Sequence, residues 1–400
     1  MKNNILFITW DGPQTTYMEG LFMPIFEQMS KTEAISFHVI QFTWGNVRRT
    51  SVTKIKAEAL AIKYTAYPIS RKPIVMLGSL ITLVKGTNFL KRYINKYSID
   101  IVMPRSTMPS IMVNRIYSKK YKILFDADGL AIEERVDFSG LSKKSLLYKF
   151  LKAEETKILK NAGKVITRSQ MSINFHIQEI GEYYRNKFGV VYNGRNTDVF
   201  KPNLGLRQEI RIKLDIKNSE KVFVYCGSLG PQYGWEEMLT IFKEYLKINK
   251  KSKFLILTGS PEFAHKNTSK ELIDKTIVKN VPFEEVPMYL NIADIAFAIR
   301  EPKPSMQGVA PIKLGEYLLM GLPTIASAGI GDTETILKNI PNCYLFQHED
   351  KNNIKNTLRF LQSALEDNED KRDEIRSFGK KYFSIEKSAE SYKHALKKLM

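Results

Sequence analysis

Short apolar runs recur along this chain, each separated from the next by a polar turn and, in most cases, a stretch of helical length. In the first half they fall at Ile5–Trp10, Phe37–Phe42, Ile99–Met103, Lys122–Phe125, Lys164–Thr167 and Gly189–Tyr192. A second series occupies Val222–Tyr225, Phe254–Thr258, Thr276–Val278, Asp294–Ile299, Thr324–Ser327 and Cys343–Phe346. Met18–Met29 and Lys143–Leu159 are two of the amphipathic stretches between them. Alternation of this kind argues for parallel sheets, because a parallel neighbour is reached only through a crossover, usually a helix. The expected fold class is therefore α/β with two doubly wound domains. The seam is expected at Asn193–Asn203, NGRNTDVFKPN, which is rich in Asn, Gly and Pro and lacks apolar periodicity. That gives residues 1–192, a linker at 193–203 and a second domain at 204–383, with one more amphipathic helix over Ser384–Met400.

Composition narrows the class. With 400 residues, 43% hydrophobic and 11% aromatic, the chain suits two folded domains or so. Its two cysteines, Cys226 and Cys343, cannot form a disulfide framework, which points to a reducing compartment. The amino-terminal MKNNILFITW reads as a first buried strand rather than a signal peptide. No stretch reaches the roughly 18 uninterrupted apolar residues of a spanning helix. The formal net charge of +19 favours anionic partners: nucleic acid, anionic lipid or phosphorylated small molecules. No zinc-ligand spacing, aromatic RNA-binding signature or arginine-rich tail is present, so nucleic acid is not expected. Between Asn46 and Tyr97 eleven basic residues face one acid, Glu58, and within that stretch lies the apolar PIVMLGSLITLVKG, Pro73–Gly86. Such a segment suits a helix lying on an anionic membrane surface. The plainer alternative is a core-facing helix with a solvated basic side.

Two facing doubly wound domains are expected to bind ligands at the carboxyl ends of their strands. The polar turns fall there: TWDGPQ, DADG, CGSLG, TGS and AIREPK. The segment GVAPIKLGEYLLMGLPTIAS, Gly308–Ser327, carries the sharpest chemistry. Pro311 fits a first helical position and Gly321 with Pro323 a helix end. The helix start then offers free N–H groups to an anion, and Lys313 adds a full charge where a helix alone would disfavour it. A bound phosphate removes that conflict. Glu316, one turn on and on the same side, can accept two hydroxyl hydrogens, as a ribose presents. An ordinary surface Lys–Glu pair is the alternative, but the glutamate sits at the edge of an apolar run, where an unpaired charge is costly.

At these residues the chain resembles the nucleotide site of the GT-B glycosyltransferases, two Rossmann-like domains facing a cleft, in particular retaining family four (glycosyl transferases group 1) and a subgroup with Pro-x-Lys-x-x-Glu-Tyr. Other segments agree: VYNGRNTDVFKP (Val191–Pro202) resembles the linker and VYCGSLGPQYGWEEML (Val224–Leu239) the first strand, loop and helix of the second domain. VPFEEVPMYLNIADIAFA (Val281–Ala298) resembles the surroundings of the base pocket, and FSIEKSAESYKHAL (Phe383–Leu396) a closing helix that packs back on the first domain. Two departures stand out. Many members carry a first glutamate where this chain has Gly308, and an Arg and a Lys where it has Ser228 and Tyr233. Lys313, with Arg300, is then expected to replace the missing charge; weakened or lost catalysis is the alternative.

The resemblance implies transfer of a sugar from a nucleotide-diphosphate donor to a hydroxyl acceptor with retention, and no protein nucleophile. Lys313, Glu316 and Asp128 are the expected catalytic residues. Gly12, Gly227, Ser228, Leu229, Val281, Arg300 and Leu314 are expected beside the donor, with Lys313 and Glu316. Asp11, Asp128, Gly129, Glu133 and Glu134 are placed on the acceptor side. Asp126-Ala127-Asp128 also matches the Asp-x-Asp that holds a divalent cation in single-domain transferases, but the two-domain layout opposes that reading. Neither a metal nor a cofactor is expected, and the five histidines are read as structural. Arg195 is read as facing the cleft or serving the surface. The expected acceptor is a saccharide or lipid-linked saccharide of capsule or surface-polysaccharide assembly, handled by a cytoplasmic enzyme peripheral to the inner membrane face. A nucleotide-sugar epimerase or hydrolase of the same fold, and a non-catalytic partner of another transferase, are the alternative readings.

Overall fold

The computed structural model describes residues 2–12, 16–310, 312–365 and 369–400. The chain divides into two compact units. The first is the chain up to Tyr192 with Gln307–Val309 and Ser388–Met400; the second is Asn193–Met306 with Ala310–Lys387.

In the first unit seven strands, β1 (Asn3–Asp11), β2 (Ile35–Thr43), β3 (Lys63–Pro68), β4 (Ile101–Pro104), β5 (Lys122–Asp128), β6 (Lys164–Thr167) and β7 (Phe188–Val190), form one sheet. Its order is β3-β2-β1-β4-β5-β6-β7 and every pairing is parallel. The middle of β1, Phe7 and Ile8 included, has no exposure at all. Helices cover both faces, which is why this strand reads as a continuous apolar run rather than an alternating one. On one face Phe7 packs against Phe22 and Phe26, and Phe26 stacks on Phe37 with centroids 4.2 Å apart. On the other, Leu6, Ile8, Phe42, Met112 and Ile158 share one core.

Local signals set several boundaries. Ser145 caps Leu146–Asn161 by accepting from the Tyr148 N–H at 3.1 Å, and Ser169 caps Gln170–Ile180 through Ser172 at 3.0 Å. The strand β3 was not expected. It is an outer edge, paired only with β2 from His38↔Lys63 to Thr43↔Pro68, and KYTAYP carries little apolar pattern. A proline at its end is tolerated there. The final helix, Ile385–Lys397, ties into the first unit through Ser388 Oγ, which donates to the Tyr192 carbonyl at 2.6 Å.

The second unit holds β8 (Lys221–Cys226), β9 (Ser252–Leu257), β10 (Thr276–Lys279), β11 (Ile295–Ala298), β12 (Thr324–Ser327) and β13 (Tyr344–Phe346) in the order β10-β9-β8-β11-β12-β13, again all parallel. Phe223, Phe242, Phe254 and Phe297 form its aromatic centre. Both sheets are doubly wound α/β. Among the described residues no helix is long and apolar enough to cross a membrane.

Candidate functional site

In the second unit the strand order reverses between β8 and β11, and ligands of open α/β sheets bind beyond the carboxyl ends of strands at such a point. Beyond β8 the chain runs through Gly227, Ser228 and Leu229; beyond β11 it runs through Ile299 and Arg300. Gly227 donates its N–H to the Leu257 carbonyl at 2.9 Å, Ser228 is exposed and Leu229 packs on the core. The helix Ile312–Leu319 is anchored to the same edge, because the Cys226 N–H donates to the Tyr317 hydroxyl at 2.7 Å. Gly321 ends this segment at φ +64, the left-handed conformation a helix terminus favours, and β12 follows Pro323. Pro311, expected at the first helical position, lies outside the described residues, as do Pro13 and Gln14 of the loop after β1.

Glu316 is fully buried. Lys313 Nζ donates to its Oε2 at 2.8 Å and Arg195 Nε to its Oε1 at 2.9 Å. Both oxygens of Glu316, the residue expected at the ribose, thus accept hydrogen bonds within the protein. Arg195 is corrected. It is no surface residue: it is buried, is hydrogen-bonded through its own backbone to Phe383 and Ile385, and lies 5.1 Å over the Phe283 ring. Burial works against the Glu316 charge, but Lys313 and Arg195 outweigh it and hold the carboxyl below its ordinary range. Burial likewise opposes the Lys313 ammonium, while Cys226 and Glu316 outweigh it and raise the lysine. Cys226 is itself pushed up by burial, so at neutral pH it is a thiol and the carboxylate is the effective counter-charge. The Lys313 side chain keeps 29% of its surface exposed. An ammonium has three donors, and Glu316 uses one.

A second cation is fixed nearby on the chain. The Arg300 guanidinium lies 4.8 Å over the Tyr233 ring, and the Arg300 backbone N–H donates to Ser327 Oγ at 2.9 Å. Tyr233 thus carries a cation on its face. Leu314 has no exposure and serves packing, and Val281 is partly exposed just beyond β10. Glu237, Glu301 and His348 bring three potential metal-ligand atoms within 4.8 Å of one another. His348 also hydrogen-bonds Ser327 Oγ at 2.8 Å.

The first unit reverses between β1 and β4, whose carboxyl ends carry Asp11 with Gly12 and Arg105. Gly12 is buried. The Thr9 hydroxyl donates to Asp11, yet burial raises this carboxyl above its usual range. Asp126 has no exposure, and Arg168 Nη2 donates to both its oxygens at 2.8 and 2.6 Å. Arg105 Nη2 donates to Asp128 Oδ2 at 2.6 Å. With Asp126 consumed by arginine, the Asp-x-Asp pair does not present two free carboxylates to a cation. Asp128 sits at φ +59, its Oδ1 lies 3.4 Å from Arg168 Nε, and a third of its side chain stays exposed. Gly129 follows, and a Cβ on Gly308 would stand 2.5 Å from the Leu130 nitrogen and 3.1 Å from the Gly129 carbonyl carbon. Glu133, expected on the acceptor side, is buried instead. It accepts from the Tyr148 hydroxyl at 2.9 Å and pairs with Lys152 and Lys143. Glu134 beside it is only partly buried.

Sequence reasoning missed Arg195 as the partner of Glu316 and Tyr233 as the support of Arg300. One signal was present: a carboxylate in an otherwise apolar helix has two oxygens to satisfy, and one lysine a turn away supplies only the first.

Comparison with known proteins follows this geometry. The profile described as glycosyl transferases group 1 matches residues 207–382. No curated protein sequence matches the chain. Among solved structures the chain is similar to HepE of Anabaena, determined with UDP and with UDP-glucose; in the UDP complex identity is 15%, coverage is 99% of this chain and 100% of that one, and the TM-score is 0.73. Sucrose-phosphate synthase from Thermosynechococcus elongatus superposes with a TM-score of 0.74 at 14% identity, over 100% and 99% of the two chains. The lipopolysaccharide outer core galactosyltransferase WaaB gives 0.65 at 15% identity, over 99% and 100%. At these identities the likeness establishes the two-domain GT-B fold. Residues 207–382 match the glycosyl transferases group 1 model, and the whole chain carries the two-domain fold of these structures.

Proposed function

We propose that the protein moves a sugar from a nucleotide-diphosphate donor to a hydroxyl of a saccharide acceptor, with retention of anomeric configuration. The observation that carries this reading is Lys313, a partly exposed ammonium held by a buried carboxylate at the sheet edge where β8 and β11 diverge. HepE, with the same fold, was solved with UDP-glucose, which supports a nucleotide sugar as donor. In the transition state the bond from the anomeric carbon to the leaving diphosphate breaks while the acceptor oxygen bonds to that carbon, and the leaving phosphate takes the acceptor proton. Charge grows on the diphosphate, and fixed cations stabilise it where it develops. Lys313 and Arg300 take that role, with Ser228 and the backbone at Gly227 completing the cradle. Glu316 is a positioning residue that sets Lys313, and no protein nucleophile and no separate cofactor or metal is assigned. Asp11, Asp128 and Gly129 at the carboxyl edge of the first sheet are assigned to the acceptor.

We also assign the acceptor to the lipid-linked saccharides of capsule or surface-polysaccharide assembly, with the enzyme cytoplasmic and peripheral on the inner, anionic membrane face. The basic balance and the resemblance of the fold to WaaB support this. A thermal-shift screen against UDP, GDP, dTDP, ADP and CMP sugars tests the donor, since a bound ligand stabilises the fold. Product analysis then compares donor alone with donor plus acceptor. Transfer that needs the acceptor, and that drops roughly a hundredfold in Lys313→Ala, supports the reading. Turnover of donor alone to an epimer or free sugar, or binding without any turnover, overturns it.

A further inference from the structure

At the carboxyl edge of the second sheet three side chains from separate elements converge. Glu237 stands in the first turn of the helix Trp235–Ile248, Glu301 in the segment after β11 and His348 in the segment after β13. All three are partly buried, and one ligand atom from each lies within 4.8 Å of the other two. His348 Nδ1 is 3.9 Å from Glu237 Oε1, and Lys303 Nζ is 3.7 Å from Glu301 Oε1. Both separations exceed a hydrogen bond. Among the described residues neither carboxylate accepts a closer donor.

The opposite edge of the imidazole is fixed. His348 Nε2 lies 2.8 Å from Ser327 Oγ, a hydroxyl of a residue without exposure that also accepts the Arg300 backbone N–H at 2.9 Å. A serine oxygen has two lone pairs and can accept both. Nε2 then carries the ring proton, and Nδ1 turns a lone pair towards Glu237. Two anionic oxygens and a nitrogen lone pair repel one another in a partly buried place unless a cation lies among them. A proton on Nδ1 is a poor bridge, because 3.9 Å is too long for a hydrogen bond to Glu237. A metal ion suits this spacing: atoms bound to it at roughly 2.0–2.2 Å stand up to about 4.4 Å apart. The widest pair closes by rotation of Glu237 and Glu301, whose side chains keep 31% and 37% of their surface exposed.

We infer that Glu237, Glu301 and His348 hold one divalent first-row transition-metal ion, with water completing its coordination. One imidazole beside two carboxylates suits Zn²⁺ or Mn²⁺ better than Mg²⁺, which favours oxygen ligands. A ligating histidine commonly donates its other N–H to a fixed acceptor, and Ser327 supplies one. The site goes beyond the transferase reading and does not depend on it, and no part in the transfer step is assigned to the ion. Its effect is on the loops of this edge. Tyr233 and Arg300 form an antiparallel bridge, flanked by the Glu301 N–H donating to the Gln232 carbonyl at 3.1 Å and the Gly234 N–H donating to the Ile299 carbonyl at 3.3 Å. Glu237 follows one side of this bridge and Glu301 the other. An ion held by both, and by His348, clamps the segment that carries Arg300.

The test is calorimetric titration of EDTA-stripped, desalted protein with ZnCl2, MnCl2 and MgCl2, with no nucleotide present. Wild type is expected to take up one equivalent of Zn²⁺ or Mn²⁺, no Mg²⁺ at the same concentrations, and to melt at a higher temperature when loaded. Loss of an outer-shell partner typically weakens metal binding about 10–100-fold, and a direct ligand should matter no less. His348→Gln and Glu301→Gln are therefore expected to bind about tenfold or more weakly, the isosteric Glu301→Gln at an unchanged metal-free melting temperature. X-ray absorption of the Zn²⁺-loaded protein should show imidazole nitrogen and oxygen around the ion, and loading should slow amide exchange at Tyr233–Trp235 and Glu301. Wild type that binds no ion overturns the site, as do variants that bind like wild type. Sulfur around the ion also overturns it and moves the ion to a cysteine. Amide exchange unchanged by a bound ion overturns the clamp. Ion binding lost in Glu301→Gln, in a protein that transfers no sugar, supports the site and sinks the transferase reading. Sugar transfer by a protein that binds no ion sinks the site and supports the transferase reading.

Discussion

Glu316 is a carboxylate without solvent, and its two oxygens depend on residues of unequal freedom. Arg195 is buried with it, whereas Lys313 keeps partial exposure. Removing the carboxylate strands a buried guanidinium. Glu316→Ala is therefore expected to lower stability by about 3–5 kcal/mol, measured by urea unfolding at neutral pH. Lys313→Ala leaves the Arg195 pair intact and should cost only about 1–2 kcal/mol, while nucleotide affinity measured by calorimetry falls roughly ten- to a hundredfold. The two variants thus separate a positioning role from a binding role. The pH dependence follows the same pair. Glu316 titrates below its ordinary 4.5 in the folded protein, so its stabilisation is complete above that value and is lost as pH falls through the folded value. Urea midpoints between about pH 3 and 6 should accordingly fall less steeply in Glu316→Gln than in wild type. Gly308 makes a different point. A glutamate there would drive its Cβ to 2.5 Å from the Leu130 nitrogen. Gly308→Glu should lose stability and gain no turnover, and a gain in kcat would show that the backbone yields.

The helix Ile312–Leu319 is short, and most of its residues are buried. Its start carries Lys313, and Gly321 turns the chain into β12. A Cβ at Gly321 would need φ +64 and would meet the Arg372 carbonyl oxygen at 2.6 Å. The left-handed conformation alone costs roughly 1–2 kcal/mol, so Gly321→Ala should depress the melting temperature by more than that accounts for. This turn was legible in Gly-Leu-Pro. The edge strand β3 was not, because one-sided pairing leaves KYTAYP without a buried run. The outward apolar row of Val75–Lys96 was visible as hydrophobicity, but its direction was not, since periodicity does not say which side of a helix meets the core.

Each unit has its own core and its own switch point, and the residues proposed to hold the donor diphosphate belong to the second. A saturating nucleotide should therefore slow amide exchange in the segments around 224–239 and 312–320 and leave 46–97 unchanged. Protection confined to the first unit would move the donor site. The alternation of buried runs and amphipathic stretches was determined by sequence alone, because strand and helix periods are local and sheets covered on both faces demand continuous apolar runs. So were the Lys–Glu spacing and the glycine stop that follows it. Only the tertiary structure decided the strand order, and with it which loops share an edge. It also brought Arg195 to Glu316 across 121 residues and Arg168 to Asp126 across 42. Such partners are chosen by three-dimensional packing around a buried charge, and no local pattern in the chain records them.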